Sequence, residues 1–189
     1  MPRDLNDIRI AILATEGVEQ VELTDPLKAF RAAHAQVEVI SPKPDSFRAW
    51  NHTDWGETIQ VDRPLDKADP ADYDALVLPG GVMNPDFLRL EPKAIDFVRA
   101  FVRSDKPIAA ICHGPWTLIN AHGVKGKTMT SWPSVQTDLR NAGATWVDRE
   151  VVVDGKLVTS RKPDDLPAFI EQASELFARA GETRRRAAE

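Results

Sequence analysis

The chain has one cysteine, Cys112, and it stands in Cys112-His113-Gly114-Pro115 directly after an apolar run. Residues 107–111 (PIAAI) are short, apolar and preceded by polar residues 104–106, which suits a buried strand of a parallel sheet. Pro115 fits a first helical position, where its missing N–H costs nothing, and residues 116–121 carry the helix onward. A strand that ends in a tight turn before a helix presents the turn residue at the carboxyl edge of an open α/β sheet, the geometry of a nucleophile elbow. A thiol placed there feels unpaired N–H groups and the positive end of the helix dipole, and both favour thiolate. The N–H of His113 would point at an oxyanion formed beside the sulfur. The chemistry on offer is nucleophilic addition of Cys112 to an electrophilic carbon, against the alternative of a buried, inert structural cysteine.

A second set of residues joins this one. Residues 74–79 (DALVLP) read as another buried strand that runs straight into Gly80-Gly81. Two glycines after a strand let backbone N–H groups approach a ligand without interference from Cβ. They read as the other half of an oxyanion hole facing Cys112, or as a plain strand-to-loop turn. His52 and Asp54 could ligate a metal, but there is no second cluster at ligand spacing and no further cysteine, so no metal site is expected. No GxGxxG or P-loop pattern follows the first strand, so no cofactor is implied.

The elements that must position these groups follow from periodicity. Residues 8–14 predict the first central strand, Leu23, Leu27 and Phe30 recur at helical spacing, and residues 36–40 predict a second strand. That opening is β-α-β with a right-handed crossover. Residues 41–70 are the least regular part, with four prolines and Trp50 and Trp55; only residues 58–61 look like strand. The two tryptophans serve either a satellite core or a subunit contact. Residues 91–103 predict an amphipathic helix that returns the chain to the Cys112 strand. Residues 127–130 and 144–147 are short strand candidates around a helix that starts at Pro133, capped by Ser131, and ends at Gly143. Residues 150–153 and 156–159 flank Asp154-Gly155, the two-residue signature of a type I′ hairpin. Leu166, Ile170, Ala173 and Phe177 lie on the inner face of a last helix. The fold class is α/β: a mostly parallel central sheet, helices on both faces, and a small antiparallel hairpin at 150–160.

The totals agree with one domain. The chain has 189 residues, 42% hydrophobic and 28% charged, which is enough for a single core and short for two. Residues 181–189, with Arg184-Arg185-Arg186, are expected to be a flexible tail. A net charge of -5 leaves no electrostatic footprint for nucleic acid. No apolar run approaches the roughly 20 residues that span a bilayer, and the N-terminus lacks a signal peptide's apolar segment. One cysteine excludes an internal disulfide framework, and the expected location is the cytoplasm.

Linked blocks in this chain resemble the PfpI family of the intracellular protease and parkinsonism-associated deglycase superfamily, whose fold is related to class I glutamine amidotransferases. They are EGVEQVEL at 16–23, DALVLPGG at 74–81, AAICHGPW at 109–116, TSWP at 130–133, NAGATWVD at 141–148 and VTSRKPDDL at 158–166. The resemblance implies a flavodoxin-like sandwich with Cys112 as nucleophile and His113 as its neighbouring imidazole. It also implies that Glu22 is a protonated carboxylic acid beside the sulfur. Asp86 matches an acidic position that in peptidase-like members reaches His113 from a neighbouring subunit, where many members carry Glu. Trp132 stands where relatives can carry Tyr, so a phenolic proton donor is missing and the pocket rim is more apolar. Together with Gly80 and Gly81 it is expected to contact substrate.

The implied activity is that of a stress-response cysteine hydrolase. It would act as a glyoxalase or protein deglycase on methylglyoxal and glyoxal adducts, or as an intracellular peptidase or amidase. The alternative is a redox sensor or holdase chaperone working through oxidation of Cys112. An amidotransferase-like triad is discounted, since it takes its histidine from late in the sequence and the last histidine here is His122. The expected assembly is a homodimer or hexamer.

Overall fold

The computed structural model describes residues 3–188, with side-chain surroundings through residue 182. In chain order the elements are β1 (Arg9–Leu13), α1 (Gln20–Ala32), β2 (Gln36–Ser41), β3 (Ser46–Asn51), β4 (Asp54–Gln60), β5 (Arg63–Pro64), β6 (Ala75–Leu78), α2 (Met83–Arg89) and α3 (Pro92–Arg103). They continue with β7 (Ile108–Ile111), α4 (Pro115–Asn120), β8 (Thr128–Met129), α5 (Gln136–Asn141), β9 (Thr145–Trp146), β10 (Val151–Asp154), β11 (Leu157–Ser160) and α6 (Leu166–Ala188).

Seven strands make the main sheet in the order β10-β11-β7-β6-β1-β2-β5. Every neighbouring pair is parallel except β10 with β11. The chain leaves β1 for β2 on one side and later returns to β6 on the other, so the strand order reverses beside β1. Such a reversal opens a crevice at the carboxyl ends of the strands. The sheet is flavodoxin-like, as the sequence implied.

Side chains alternate across the strands because the strand period is two. Ile10, Ile12, Val37, Val39, Val77 and Ile111 face one core with Phe30 of α1 and Phe169 and Phe177 of α6. Ala11, Leu13, Leu76, Leu78, Ile108 and Ala110 face the other core, with Phe97 and Phe101 of α3, Leu118 of α4 and Leu139 of α5. Both faces are covered, which explains why the central strands read as continuous apolar runs.

Several elements differ from the sequence reading. Residues 41–70 are not mostly irregular: β3 and β4 form an antiparallel hairpin with a register shift between Arg48 and Trp50. His52, at φ 56°, takes the left-handed turn. A non-glycine residue there gives no turn signature in the sequence. Trp50 and Trp55 meet edge to face with ring centroids 5.4 Å apart. The β10–β11 turn is shifted by one residue, since Asp154 pairs with Leu157 and Gly155, at φ 60°, comes first in the turn. Asp154 is held in the strand register, where its carboxylate accepts the Thr128 N–H (2.7 Å).

Ser131 does not cap a helix. Its hydroxyl donates to the Trp132 carbonyl (2.9 Å) and accepts from the Trp146 indole (3.0 Å). Strands β8 and β9 pair only with each other, outside the main sheet. Helix α6 continues past Gly181, the point at which the sequence reading begins a tail, through a segment rich in Glu, Arg and Ala. These are good helix formers. Side chains from residue 183 onward lie outside the described residues.

The packing of α6 on α1 yields a stability prediction. Phe30 and Phe177 are fully buried with ring centroids 5.5 Å apart. Phe177→Ala is expected to cost roughly 3–5 kcal/mol, through lost apolar burial and the cavity left behind. Urea unfolding monitored by circular dichroism measures it. A loss below about 1 kcal/mol would mean that α6 does not share this core.

Candidate active site

Strand β7 ends at Ile111, and the next residue turns the chain into α4 at a backbone angle that L-residues rarely adopt: Cys112 has φ 61°. Two hydrogen bonds hold it there. The Cys112 N–H donates to the Ser160 carbonyl at the end of β11 (3.1 Å), and the Cys112 carbonyl accepts the Trp132 N–H (2.9 Å). The Gly114 N–H closes the turn on the Ile111 carbonyl (2.8 Å). A Cβ on Gly114 would lie 2.3 Å from the Leu78 carbonyl oxygen, so only glycine lets the turn lie against β6. The elbow expected from the sequence is present.

Three groups surround the sulfur. His113 Nδ1 is 3.2 Å from Cys112 Sγ. The backbone N–H groups of Gly81 and His113 face the thiol and favour its ionised form. The Gly80–Gly81 turn is pressed against the site, since a Cβ on Gly80 would sit 2.6 Å from Cys112 Cβ and 2.7 Å from Glu22 Oε2. The third group is Glu22, on the first turn of α1. Its Oε2 accepts the Gly80 N–H (2.8 Å). Its Oε1 is buried without a conventional partner among the described residues, and the carboxyl's remaining interaction is with the Cys112 side chain.

The surroundings set the protonation states. Glu22 is fully buried, and burial pushes its carboxyl up to about 8. A buried carboxylate with one unpaired oxygen would be costly, so at neutral pH Glu22 holds its proton, and a carboxyl in that state can act as a donor to the sulfur. Burial likewise pushes the Cys112 thiol up, and a charge on Glu22 would push it further; the N–H groups of Gly81 and His113 pull the other way. Protonated Glu22 removes the repulsion and becomes a third donor to a thiolate. His113 is brought down to about 4 by burial and is neutral at pH 7. Its ring stacks on Trp132 (centroids 5.9 Å, interplanar angle 24°) and meets Trp116 edge to face (5.0 Å). A neutral imidazole in an aromatic slot can accept a proton. Its Nε2 lies 3.5 Å from the Ser134 hydroxyl.

Cys112 opens into a cleft of about 700 Å³, whose walls include Glu19, Trp50, His52, Gly81, Trp132 and Lys162. The β3–β4 hairpin supplies Trp50 and His52, anchored where the Trp50 N–H donates to the Val18 carbonyl (2.7 Å). Residues that looked irregular in the sequence therefore build one wall of the site. Of the residues singled out beforehand, Glu22, Gly80, Gly81, Cys112, His113 and Trp132 come together. Asp86, expected to reach His113 from a neighbouring subunit, is exposed on α2 and does not line the cleft of its own chain. His52 contributes to the wall, and no group of three metal-ligating side chains exists among the described residues. Sequence reasoning missed Ser134 and Asn84, and met Glu19 and Trp116 only as members of the matching blocks, without a role. Ser134 directly follows the TSWP block, but nothing local to it says that it meets an imidazole.

Known proteins share this chain's sequence and fold. Residues 8–176 match the sequence profile of the DJ-1/PfpI family. The chain is 43% identical over 170 residues to Protein/nucleic acid deglycase 2 of Escherichia coli, covering 89% of this chain and 97% of that protein. It is 42% identical over 169 residues to YraA of Bacillus subtilis, named as a candidate cysteine protease, covering 89% and 98%. A solved two-domain protein from Anabaena variabilis, with DJ-1/ThiJ/PfpI-like and ferritin-like domains, superposes with a TM-score of 0.83 at 33% identity. The match covers 93% of this chain and spans 48% of that one.

The state of Glu22 is open to measurement. Its folded-state pKa is raised from 4.5 to about 8, so its contribution to stability is fully present below 4.5 and is lost as pH rises through about 8. His113, lowered from 6.5 to about 4, gives a slope of opposite sign between those values. That slope is common to wild type and Glu22→Gln and cancels in their difference. Urea unfolding of both proteins between pH 5 and pH 8.5 should show the wild-type advantage shrinking as pH rises. A flat difference would mean that the carboxyl is not held protonated.

Proposed function

The chain belongs to the DJ-1/PfpI family, and on that footing we propose that Cys112 adds to the aldehyde carbon of small dicarbonyls such as methylglyoxal and glyoxal, including those released from their early, reversible adducts on proteins. The observation that carries this reading is the neutral His113 imidazole 3.2 Å from a sulfur that also faces Glu22 and two backbone N–H groups. Sulfur forms a bond to the aldehyde carbon while the carbonyl oxygen gathers negative charge beside the N–H groups of Gly81 and His113. The thiol proton passes to His113 and on to that oxygen, giving a hemithioacetal. Moving the carbon-bound hydrogen of the former aldehyde to the adjacent carbonyl carbon, while the hydroxyl proton passes to that carbonyl's oxygen, converts this into a thioester. Water then hydrolyses the thioester, releasing the hydroxy acid and restoring the thiol. The sum is dicarbonyl plus water giving hydroxy acid, with no external oxidant or reductant.

Amide hydrolysis begins the same way but must also protonate a leaving amine, which requires a directed imidazole. Among the described residues His113 has no carboxylate partner of its own, and its Nε2 meets only the Ser134 hydroxyl at 3.5 Å. A carboxylate from a neighbouring subunit, with Asp86 the expected source, is what the peptidase reading needs, and it makes a homodimer or hexamer part of that reading. Aldehyde addition needs nothing from a partner.

Proton NMR of methylglyoxal incubated with the protein gives the test. Wild type should form lactate over many turnovers per Cys112, and Cys112→Ser should lose at least roughly 10³-fold of that rate. Stoichiometric consumption without turnover would point to a thiol that is used once, as in a redox sensor. Absence of lactate would end the dicarbonyl reading.

A further inference from the structure

Asn84 does not touch the sulfur, yet it is fully buried and spends its whole side-chain amide on the backbone around it. It lies in the first turn of α2, directly after the Gly80–Gly81 turn. Its Oδ1 accepts the Thr15 N–H beyond the end of β1 (2.8 Å). Its Nδ2 donates to the Pro79 and Gly80 carbonyls (3.0 Å each). The Gly80 carbonyl also accepts the Glu19 N–H (3.4 Å).

The Gly80 carbonyl and the Gly81 N–H belong to one planar trans peptide unit and point in opposite directions. Drawing that carbonyl toward Asn84 and Glu19 therefore aims the N–H the other way, to the side of the turn where it favours the Cys112 thiolate. The unit sits between two glycines and would otherwise turn easily. Gly81 has φ 75°, and a Cβ there would meet the Gly17 carbonyl oxygen at 2.4 Å, so no side chain on the turn itself can supply the restraint. The same anchoring holds the Gly80 N–H against Glu22 Oε2. We infer that Asn84 is a positioning residue that sets the orientation of the Gly81 N–H and thereby the oxyanion site, an inference that rests on the nucleophilic role of Cys112 proposed above.

Two variants separate this from a purely structural role. Asn84→Ala removes all three hydrogen bonds. Asn84→Asp keeps an acceptor for Thr15 and can donate to the Gly80 carbonyl only while protonated. Both are compared with wild type for kcat and KM on methylglyoxal, and for the pH profile of iodoacetamide alkylation, which reports on Cys112 because it is the single cysteine. Circular dichroism checks that each variant is folded at the assay temperature.

For Asn84→Ala, kcat should fall by roughly 10–100-fold with KM changed less than about threefold, since one oxyanion donor is misdirected. Its alkylation midpoint should move to higher pH, because the thiolate loses a donor. Asn84→Asp should recover activity relative to Asn84→Ala at pH 6 and lose that advantage by pH 9. An unchanged alkylation profile in both variants, an effect confined to KM, or failure of both to fold would overturn the inference. If wild type itself yields no lactate, the dicarbonyl reading fails, while the alkylation profiles still decide the role of Asn84.

Discussion

Cys112 is held at φ 61° because both faces of its backbone are tied to other segments: its N–H to the Ser160 carbonyl and its carbonyl to the Trp132 N–H. A non-glycine residue in the left-handed region persists only where the surroundings over-determine it, at a cost of order 1–3 kcal/mol. Here that surrounding is the junction of three elements. Strand β11 must lie beside β7 in register, the 130–132 segment must cross beneath the turn, and β6 must leave room that only Gly114 can fill. Each of these contacts also places a functional group. Trp132 stacks on the histidine next to the cysteine, and β6 delivers Gly80 and Gly81.

The electrostatics follow from that junction. Glu22 would be an ordinary helix-surface carboxyl if α1 were not covered. Instead, the first turn of α1 is buried under the Gly80 loop and beside the sulfur. Burial keeps the proton on the carboxyl, and the same burial raises the thiol and lowers the imidazole. A thiolate in such a place depends on donors aimed at it, since bulk water cannot supply them. The donors come from three separate stretches of chain: Gly81 after β6, His113 after β7, and Glu22 of α1. Their convergence at the carboxyl ends of neighbouring strands is what the reversal of strand order beside β1 makes possible.

Much of this was legible in the linear chain. The apolar runs of β1, β6 and β7 carry their own strand signal, and the 3.6-residue spacing of Leu166, Ile170, Ala173 and Phe177 marks α6. The hairpin β3–β4 was not legible, because His52 takes a left-handed turn with no glycine and much of β4 is exposed. The one-residue shift at Gly155 escaped for a similar reason: Asp154 prefers a partner at Thr128 to the turn that its sequence advertises. Asn84 carried no mark of its own: Pro79 and Gly80 are near it in the chain, but nothing local says that its amide also takes the N–H of the distant Thr15.

By itself the sequence determined the α/β class, the elbow at Cys112 and the pair of glycines after β6, because apolar periodicity, a proline at a helix start and a missing Cβ are local properties of the chain. Only the tertiary structure decided that Glu22 is neutral, that His113 stands in a slot between Trp116 and Trp132, and that Asn84 ties the Gly80 turn to Thr15. Desolvation and the direction of a hydrogen bond depend on what lies across the sheet, and no window along the sequence contains both sides.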